Sequence, residues 1–184
     1  MQREELKTGF VSIIGRTNVG KSTLINSLIK QKISITSRKP QTTRNRLVGI
    51  KTQGVYQALL VDTPGFHRGH KRALNRHMNR LALSSLYGVD TVLFMVEALK
   101  WQEDDDFILE KLPKDETKII LTINKVDRIS NKQELLPFIK KISSKKEFLD
   151  VIPISALKGF NIKELEECMF ESLPQGEHLY PHDQ

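Results

Sequence analysis

The sequence predicts an α/β fold: a mostly parallel six-stranded sheet with one antiparallel edge strand and helices on both faces. Three observations lead there. Apolar runs of strand length, at residues 10–14, 92–96 and 119–121, alternate with segments of helical periodicity. Two runs, 47–50 and 56–61, are joined by a turn at Gln53-Gly54 and read as an antiparallel hairpin. Every other strand is followed by a helix, the crossover that parallel strands need.

Taken in order, strand 10–14 is apolar and gives out at Gly15, and helix 21–29 follows with Leu24, Ile25 and Leu28 on one side. After the hairpin, a helix over 75–87 leads to strand 91–96. Asp104, Asp105 and Asp106 open a helix running to Leu112, where three carboxylates suit the positive end of a helix dipole better than a metal. Strand 118–123 precedes a helical segment, 135–142, that Pro137 interrupts or starts. Strand 151–154 is short. Asn161, with Glu164 three residues on, reads as a capping box, after which Ile162, Leu165, Met169 and Leu173 line one helix face with Cys168 packed beside them. Beyond Leu173 the pattern dissolves around Pro174, Gly176 and Pro181, so 1–173 reads as one domain and 174–184 as a linker.

Composition narrows the class. With 184 residues, 39% hydrophobic and 28% charged, the chain suits a globular domain with one continuous core. No apolar run approaches the roughly 20 residues of a membrane span, and the charged first eight residues lack the apolar stretch of a secretory signal. Cys168 is the only cysteine, so neither an internal disulfide nor a thiolate zinc cluster can form, and a reducing cytoplasm is expected. The net charge of +7 is concentrated at 30–51 and 67–80. It either makes a solvated basic surface or favours RNA or an anionic lipid as partner.

The chemistry lies in the loops after the strands, where ligands of such sheets bind. Gly15, Arg16, Thr17, Asn18, Val19, Gly20, Lys21 and Ser22 spell GxxxxGKS between a strand and a helix, with Thr23 next in the helix. Glycines let the backbone N–H groups turn inward around phosphates, and the helix N-terminus adds positive charge. Lys21 would reach the β- and γ-phosphates, and the Ser22 hydroxyl would ligate Mg2+. Asp62, Thr63, Pro64 and Gly65 follow the next strand. There Asp62 is suited to a metal-bound water and the Gly65 N–H to the γ-phosphate. Asn124, Lys125, Val126 and Asp127 follow another buried strand. Asp127 can accept hydrogen bonds from the guanine ring N–H and amino group, which adenine does not offer, and such a site discriminates by about 10⁴-fold. Asn124 would brace the loop and the Lys125 stem would lie over the base. After the last strand, Ser155 precedes Ala156, whose N–H would meet the guanine carbonyl. Read together, these motifs make a P-loop GTPase fold binding GTP or GDP with Mg2+.

Less is fixed for the catalytic groups. Thr42 or Thr43 would close the metal shell and sense the γ-phosphate, with Thr43 preferred. Phe66 stands where many GTPases carry a water-orienting glutamine, so hydrolysis is expected to be slow. Asn18 is a candidate to help hold a monovalent cation, K+, beside the phosphates, with Arg44 and Arg46 as alternative donors. His67, His70 and His77 read as a surface segment rather than a metal site, since no cysteine assists and their neighbours are basic.

The strings GRTNVGKS, ISITSRKPQTTR, DTPG, NKVD and PISA together resemble the bacterial Era GTPases over almost the whole chain. ISITSRKPQTTR is the most diagnostic, because the other motifs are shared by many GTPases. The resemblance implies Thr43 as the switch threonine, which joins Lys21, Gly65 and Asn18, read from the residues, as candidate catalytic groups. It implies Phe66 as a hydrophobic substitution usual in the family. Thr17 departs from the family's usual proline. The resemblance also implies a KH domain, beyond the linker, that binds the end of 16S ribosomal RNA. The role it implies is a slow GTP-hydrolysing switch in small-subunit maturation, a monomer of the cytoplasm with peripheral contact at the inner membrane face. Two other readings are a hydrolase whose turnover is its purpose and an RNA-binding module with vestigial nucleotide binding. Intact Lys21, Ser22, Asp62 and Asp127 oppose the latter.

Overall fold

Six strands form a single sheet in the order β2-β3-β1-β4-β5-β6. In the computed structural model, residues 5–29, 47–61, 63, 65, 73–114 and 116–181 are described. The strands are β1 (Lys7–Gly15), β2 (Leu47–Gln53), β3 (Tyr56–Val61), β4 (Thr91–Glu97), β5 (Lys118–Asn124) and β6 (Asp150–Pro153). The helices among them are α1 (Lys21–Ile29), α2 (Ala73–Ser84), α3 (Glu103–Lys111), α4 (Leu135–Ser143) and α5 (Ile162–Glu171). All neighbouring strands run parallel except β2 and β3, so the expected sheet with one antiparallel edge strand is borne out.

Near-continuous apolar runs in β1, β4 and β5 follow from burial on both faces. On one face, Val11, Ile13, Leu93 and Met95 pack with Leu24 and Leu28 of α1 and with Leu165 and Met169 of α5. On the other, Ile14, Phe94, Val96 and Leu121 meet Ile108 of α3 and Ile142 of α4. One polar group crosses the first core: the Lys51 Nζ of β2 donates to Glu166 of α5 and, at 3.0 Å, to the Leu28 carbonyl of α1. A buried pair of this kind gains little unless every donor is satisfied, and here one amine holds three elements.

The structure revises two local expectations and settles a third, the place of Pro137 at the start of its helix. The hairpin turn is Gly54-Val55, with Gly54 in the left-handed region at φ 56°. Pro137 lies in the first turn of α4, where a missing N–H costs nothing. The capping box at Asn161 does not form. Asn161 is left-handed at φ 55°, and its side chain donates back to the Pro153 carbonyl at 3.0 Å. The same residue pattern serves a cap or a left-handed asparagine turn, and here strand β6 captures the amide.

The stretch after Leu173, expected as a linker, is bound to the sheet where it is described. Gln175 bridges Lys7, and the Gly176 N–H donates to the Leu6 carbonyl at 2.9 Å. The fully buried Gln57 of β3 then receives the N–H groups of Leu179 at 2.8 Å and Tyr180 at 3.0 Å on its Oε1. Its Nε2 donates to the Tyr180 carbonyl at 2.9 Å and to Thr52 Oγ1 at 3.1 Å.

Candidate nucleotide-binding site

β1, β3, β5 and β6 all end on one rim of the sheet, which places the segments after them side by side. A cleft of about 540 Å³ opens there, lined by Thr17, Gly20, Lys21, Ser22, Gly65 and Lys125 among others. A larger hollow of about 1160 Å³ lies at the other pole, with Asp90, Glu116, Asp150 and Glu171 on its wall. Four carboxylates make it a poor home for phosphates.

The loop 15–20 turns β1 into α1. Asn18 adopts φ 64° and Gly20 φ 107°, and a Cβ at Gly20 would collide with the Asn124 amide. The first bond within α1 runs from the Leu24 N–H to the Gly20 carbonyl at 2.9 Å. Helix geometry therefore leaves the N–H groups of Lys21, Ser22 and Thr23 with no partner inside the helix. Ser22 and Thr23 are exposed, whereas Lys21 is buried. Its Nζ donates to the Gly15 carbonyl at 2.9 Å and the Arg16 carbonyl at 2.6 Å. Burial, and then the nearby Arg16 charge, push its pKa down from 10.5 to about 8. An anion in the cleft would add an opposing attraction and raise the pKa again.

Arg16 does not point at the cleft. Its Nε donates to Asp105 Oδ2 of α3 at 2.8 Å and its Nη2 to the Lys100 carbonyl at 3.1 Å. As a nucleotide contact, Arg16 is thus restricted to its backbone. Thr63 is likewise turned away, since its hydroxyl donates to the Ile13 carbonyl and ties the segment after β3 to β1. Gly65 sits against the loop from the other side: a Cβ there would lie 3.4 Å from Lys21 Nζ and 3.5 Å from Thr17 Oγ1. Thr43, Asp62, Pro64 and Phe66 lie outside the described residues, as do Thr42, Arg44, Arg46, His67 and His70. His77 is exposed on α2, and among the described residues no three His, Cys, Asp or Glu side chains are grouped for a metal.

The base-reading segments are braced to the phosphate loop. The Asn124 Nδ2 donates to the Val19 carbonyl at 2.8 Å, and its Oδ1 accepts the Ala156 N–H at 2.9 Å. One buried amide therefore joins three loops. The Ala156 N–H, expected to meet the guanine carbonyl, here braces Asn124. Lys125 is left-handed at φ 66°, and its Nζ reaches the Asn18 carbonyl at 2.5 Å and Glu97 Oε2 at 3.0 Å. Glu97 feels burial, which would raise its pKa, but hydrogen bonds from Lys100 and Lys125 outweigh it and hold the carboxyl below its usual value. Asp127 Oδ1 accepts the Ser155 hydroxyl at 2.6 Å, which orients the carboxylate. The Val126 N–H donates to the Ile154 carbonyl at 3.2 Å, and its side chain packs on the second core.

Three residues escaped the motif reading: Glu97, Asp105 and the Arg16 side chain acting on α3. Asp105 carried a signal, because Asp105, Ile108 and Leu112 fall on one helical stripe, so the middle aspartate of the run faces inward.

Comparison with known proteins agrees with this geometry. Residues 10–125 match the family described as 50S ribosome-binding GTPase. GTPase Era of Histophilus somni is 54% identical over 183 residues, covering 100% of this chain and 61% of that protein. GTPase Era of Haemophilus influenzae is 52% identical over 182 residues, covering 99% of this chain and 60% of that protein. The chain thus spans about three fifths of the length of these relatives. The crystal structure of Era in complex with MgGDPNP and nucleotides 1506–1542 of 16S ribosomal RNA superposes with a TM-score of 0.82 at 40% identity, over 97% of this chain and 61% of that one. Aquifex aeolicus Era bound to GDP.AlF4- gives 0.81 at 41% identity, with the same coverage of 97% and 61%. The Era resemblance read from the motifs is borne out, and the chain belongs to the 50S ribosome-binding GTPase family.

Proposed function

We propose that the chain is a guanine-nucleotide switch that binds GTP and GDP with Mg2+ and hydrolyses GTP slowly. The observation that carries this reading is Asn124, which locks the phosphate loop at Val19 and the last strand's loop at Ala156 into one body with Asp127 beside them. A preformed link between the phosphate-holding and base-reading segments is what selection of one nucleotide requires. Ser22 presents an exposed hydroxyl beside Lys21, a hard oxygen donor that suits Mg2+; Thr43 and Asp62 would complete its ligand set. When bound, the metal neutralises charge on the phosphates. Lys21 and the N–H groups of the first turn of α1 bind and orient them.

Phe66, which cannot align a water molecule, supports slow turnover and hence a switch whose state, more than its product, is the output. We place its action in small-subunit ribosome maturation. Support comes from the Era relative solved with 16S ribosomal RNA and from the basic balance of +7. A monomer in the cytoplasm, touching the inner membrane face peripherally, is part of the same proposal. So is stimulation by K+ through the exposed Asn18.

Titration with fluorescent GTP and ATP analogues tests the core of the reading, with single-turnover hydrolysis measured in K+ and in Na+ buffers. GTP should bind at least about 10³-fold more tightly than ATP. Equal affinities would overturn the guanine assignment, and equal rates in the two buffers would remove the potassium role.

A further inference from the structure

Arg16 stands directly behind the phosphate cradle, yet its guanidinium is committed to the opposite side. Asp105 receives it at 2.8 Å and also accepts the Gln102 N–H at 2.9 Å on the same oxygen, Oδ2. The other oxygen, Oδ1, is buried and has no hydrogen-bond partner among the described residues, although Asp105 is fully buried. A half-satisfied buried carboxylate costs free energy, and apolar residues replacing both Arg16 and Asp105 would pack there without that penalty. Capping of α3 through the Gln102 N–H accounts for one bond of Asp105, and the bond to Arg16 needs its own account.

The contacts supply one. The same Arg16 whose guanidinium is held by α3 offers its carbonyl to Lys21 Nζ at 2.6 Å, next to the Gly15 carbonyl at 2.9 Å. A continuous path runs from the first turn of α3 through Asp105 and Arg16 to the amine that faces the phosphates. The Lys100 carbonyl holds the second guanidinium nitrogen at 3.1 Å, so the fork is fixed in orientation as well as in place.

We propose that Arg16 and Asp105 form a positioning pair that sets the phosphate loop's grip on Lys21, and through it the rate at which bound guanine nucleotide leaves. The inference rests on the reading of the cleft as a guanine-nucleotide site. The pair touches no nucleotide through its side chains; it acts through the loop.

The test is a double-mutant cycle on the release of fluorescent mant-GDP, chased by excess GDP in the presence of Mg2+. Arg16→Gln and Asp105→Asn should each speed release about tenfold, and the double variant should be no faster than either single, because one interaction is lost in all three. Ile108→Val is the control: it weakens the same helix without touching Arg16 and should keep release within about twofold of the parent. If Asp105→Asn does not fold, Arg16→Lys carries the test, since it keeps the charge but loses the fork, and the same tenfold effect is expected. Parental release rates in folded variants, multiplying effects in the double variant, or equal acceleration by Ile108→Val would each overturn the pair. Failure of the parent chain to bind mant-GDP would instead overturn the guanine-site reading, and the pair with it.

Discussion

Replacing Lys21 with methionine is expected to stabilise the nucleotide-free protein while removing its response to nucleotide. Lys21 is only 8% exposed, and its folded-state pKa of about 8 lies well below the ordinary 10.5, first from burial and then from the Arg16 charge. That displacement corresponds to roughly 3 kcal/mol of cost for keeping the amine charged at neutral pH. Methionine fills similar volume without charge, but it leaves the Gly15 and Arg16 carbonyls without their donor at a cost of about 1–2 kcal/mol. A net gain of about 1–2 kcal/mol in unfolding free energy remains. The sign with pH follows from proton linkage. Below about pH 8 the folded chain carries the full cost of the charged amine. Between there and 10.5 the unfolded chain keeps a proton that the folded chain has lost, so the parent's stability rises by about 3 kcal/mol and the gap to the variant closes and then reverses. Urea denaturation at several pH values, with and without Mg2+ and GDP, reads all of this. With saturating GDP the parent should gain stability by mass action and the variant should not. A variant less stable than the parent at pH 7 without nucleotide, or a gap that persists to pH 10.5, would refute the argument.

Asp127→Asn should lower GTP affinity by about 10³-fold and favour xanthosine triphosphate, whose base offers a carbonyl where guanine has an amino group; paired titrations check it. Gly20→Ala forces a Cβ into Asn124 at φ 107° and should cost at least about 2 kcal/mol together with nucleotide binding, read by thermal unfolding and titration. Glu166→Leu strands the Lys51 ammonium in the core and should cost about 3 kcal/mol, largely recovered on adding Lys51→Met. Urea midpoints of the single and double variants decide that case.

How much of this was legible in the sequence depended on how far apart the interacting residues lie. The phosphate loop, the Asp62 tetrapeptide and the Asn124 motif are contiguous, each needs a strand before it, and the period-2 and period-3.6 patterns supply that setting. The mostly parallel sheet with helices on both faces follows from the same alternation, whereas the strand order is seen only in the folded chain. Arg16 and Asp105 are 89 positions apart, and nothing in the local pattern around Arg16 distinguishes a phosphate-facing side chain from one turned backward. The bond from the Ala156 N–H to Asn124 Oδ1 spans 32 positions and exists only once the fold is closed, so the sequence around Ala156 carries no sign of it. Residues 174–181 hide their contacts for another reason. Proline, glycine and polar side chains do signal the end of regular structure, yet main-chain groups can still be bound by a side chain such as Gln57, which lies 123 positions away from Tyr180. Propensity describes what a segment does alone and carries no record of a partner elsewhere in the chain.

The Gln57 contact has a consequence for sequence drift. Its amide grips the N–H groups of residues 179 and 180 and the carbonyl of 180, and it reads none of their side chains. Leu179 projects outward, 60% exposed. The path of this stretch is therefore specified while its lettering is open at 179, where nearly any residue is tolerated except proline, which has no N–H to give. Position 57 has the reverse liberty, because only a side chain of that reach, with both a carbonyl and an amide, can serve there. Divergent copies of this domain should thus keep glutamine in the strand while the stretch it holds changes around it.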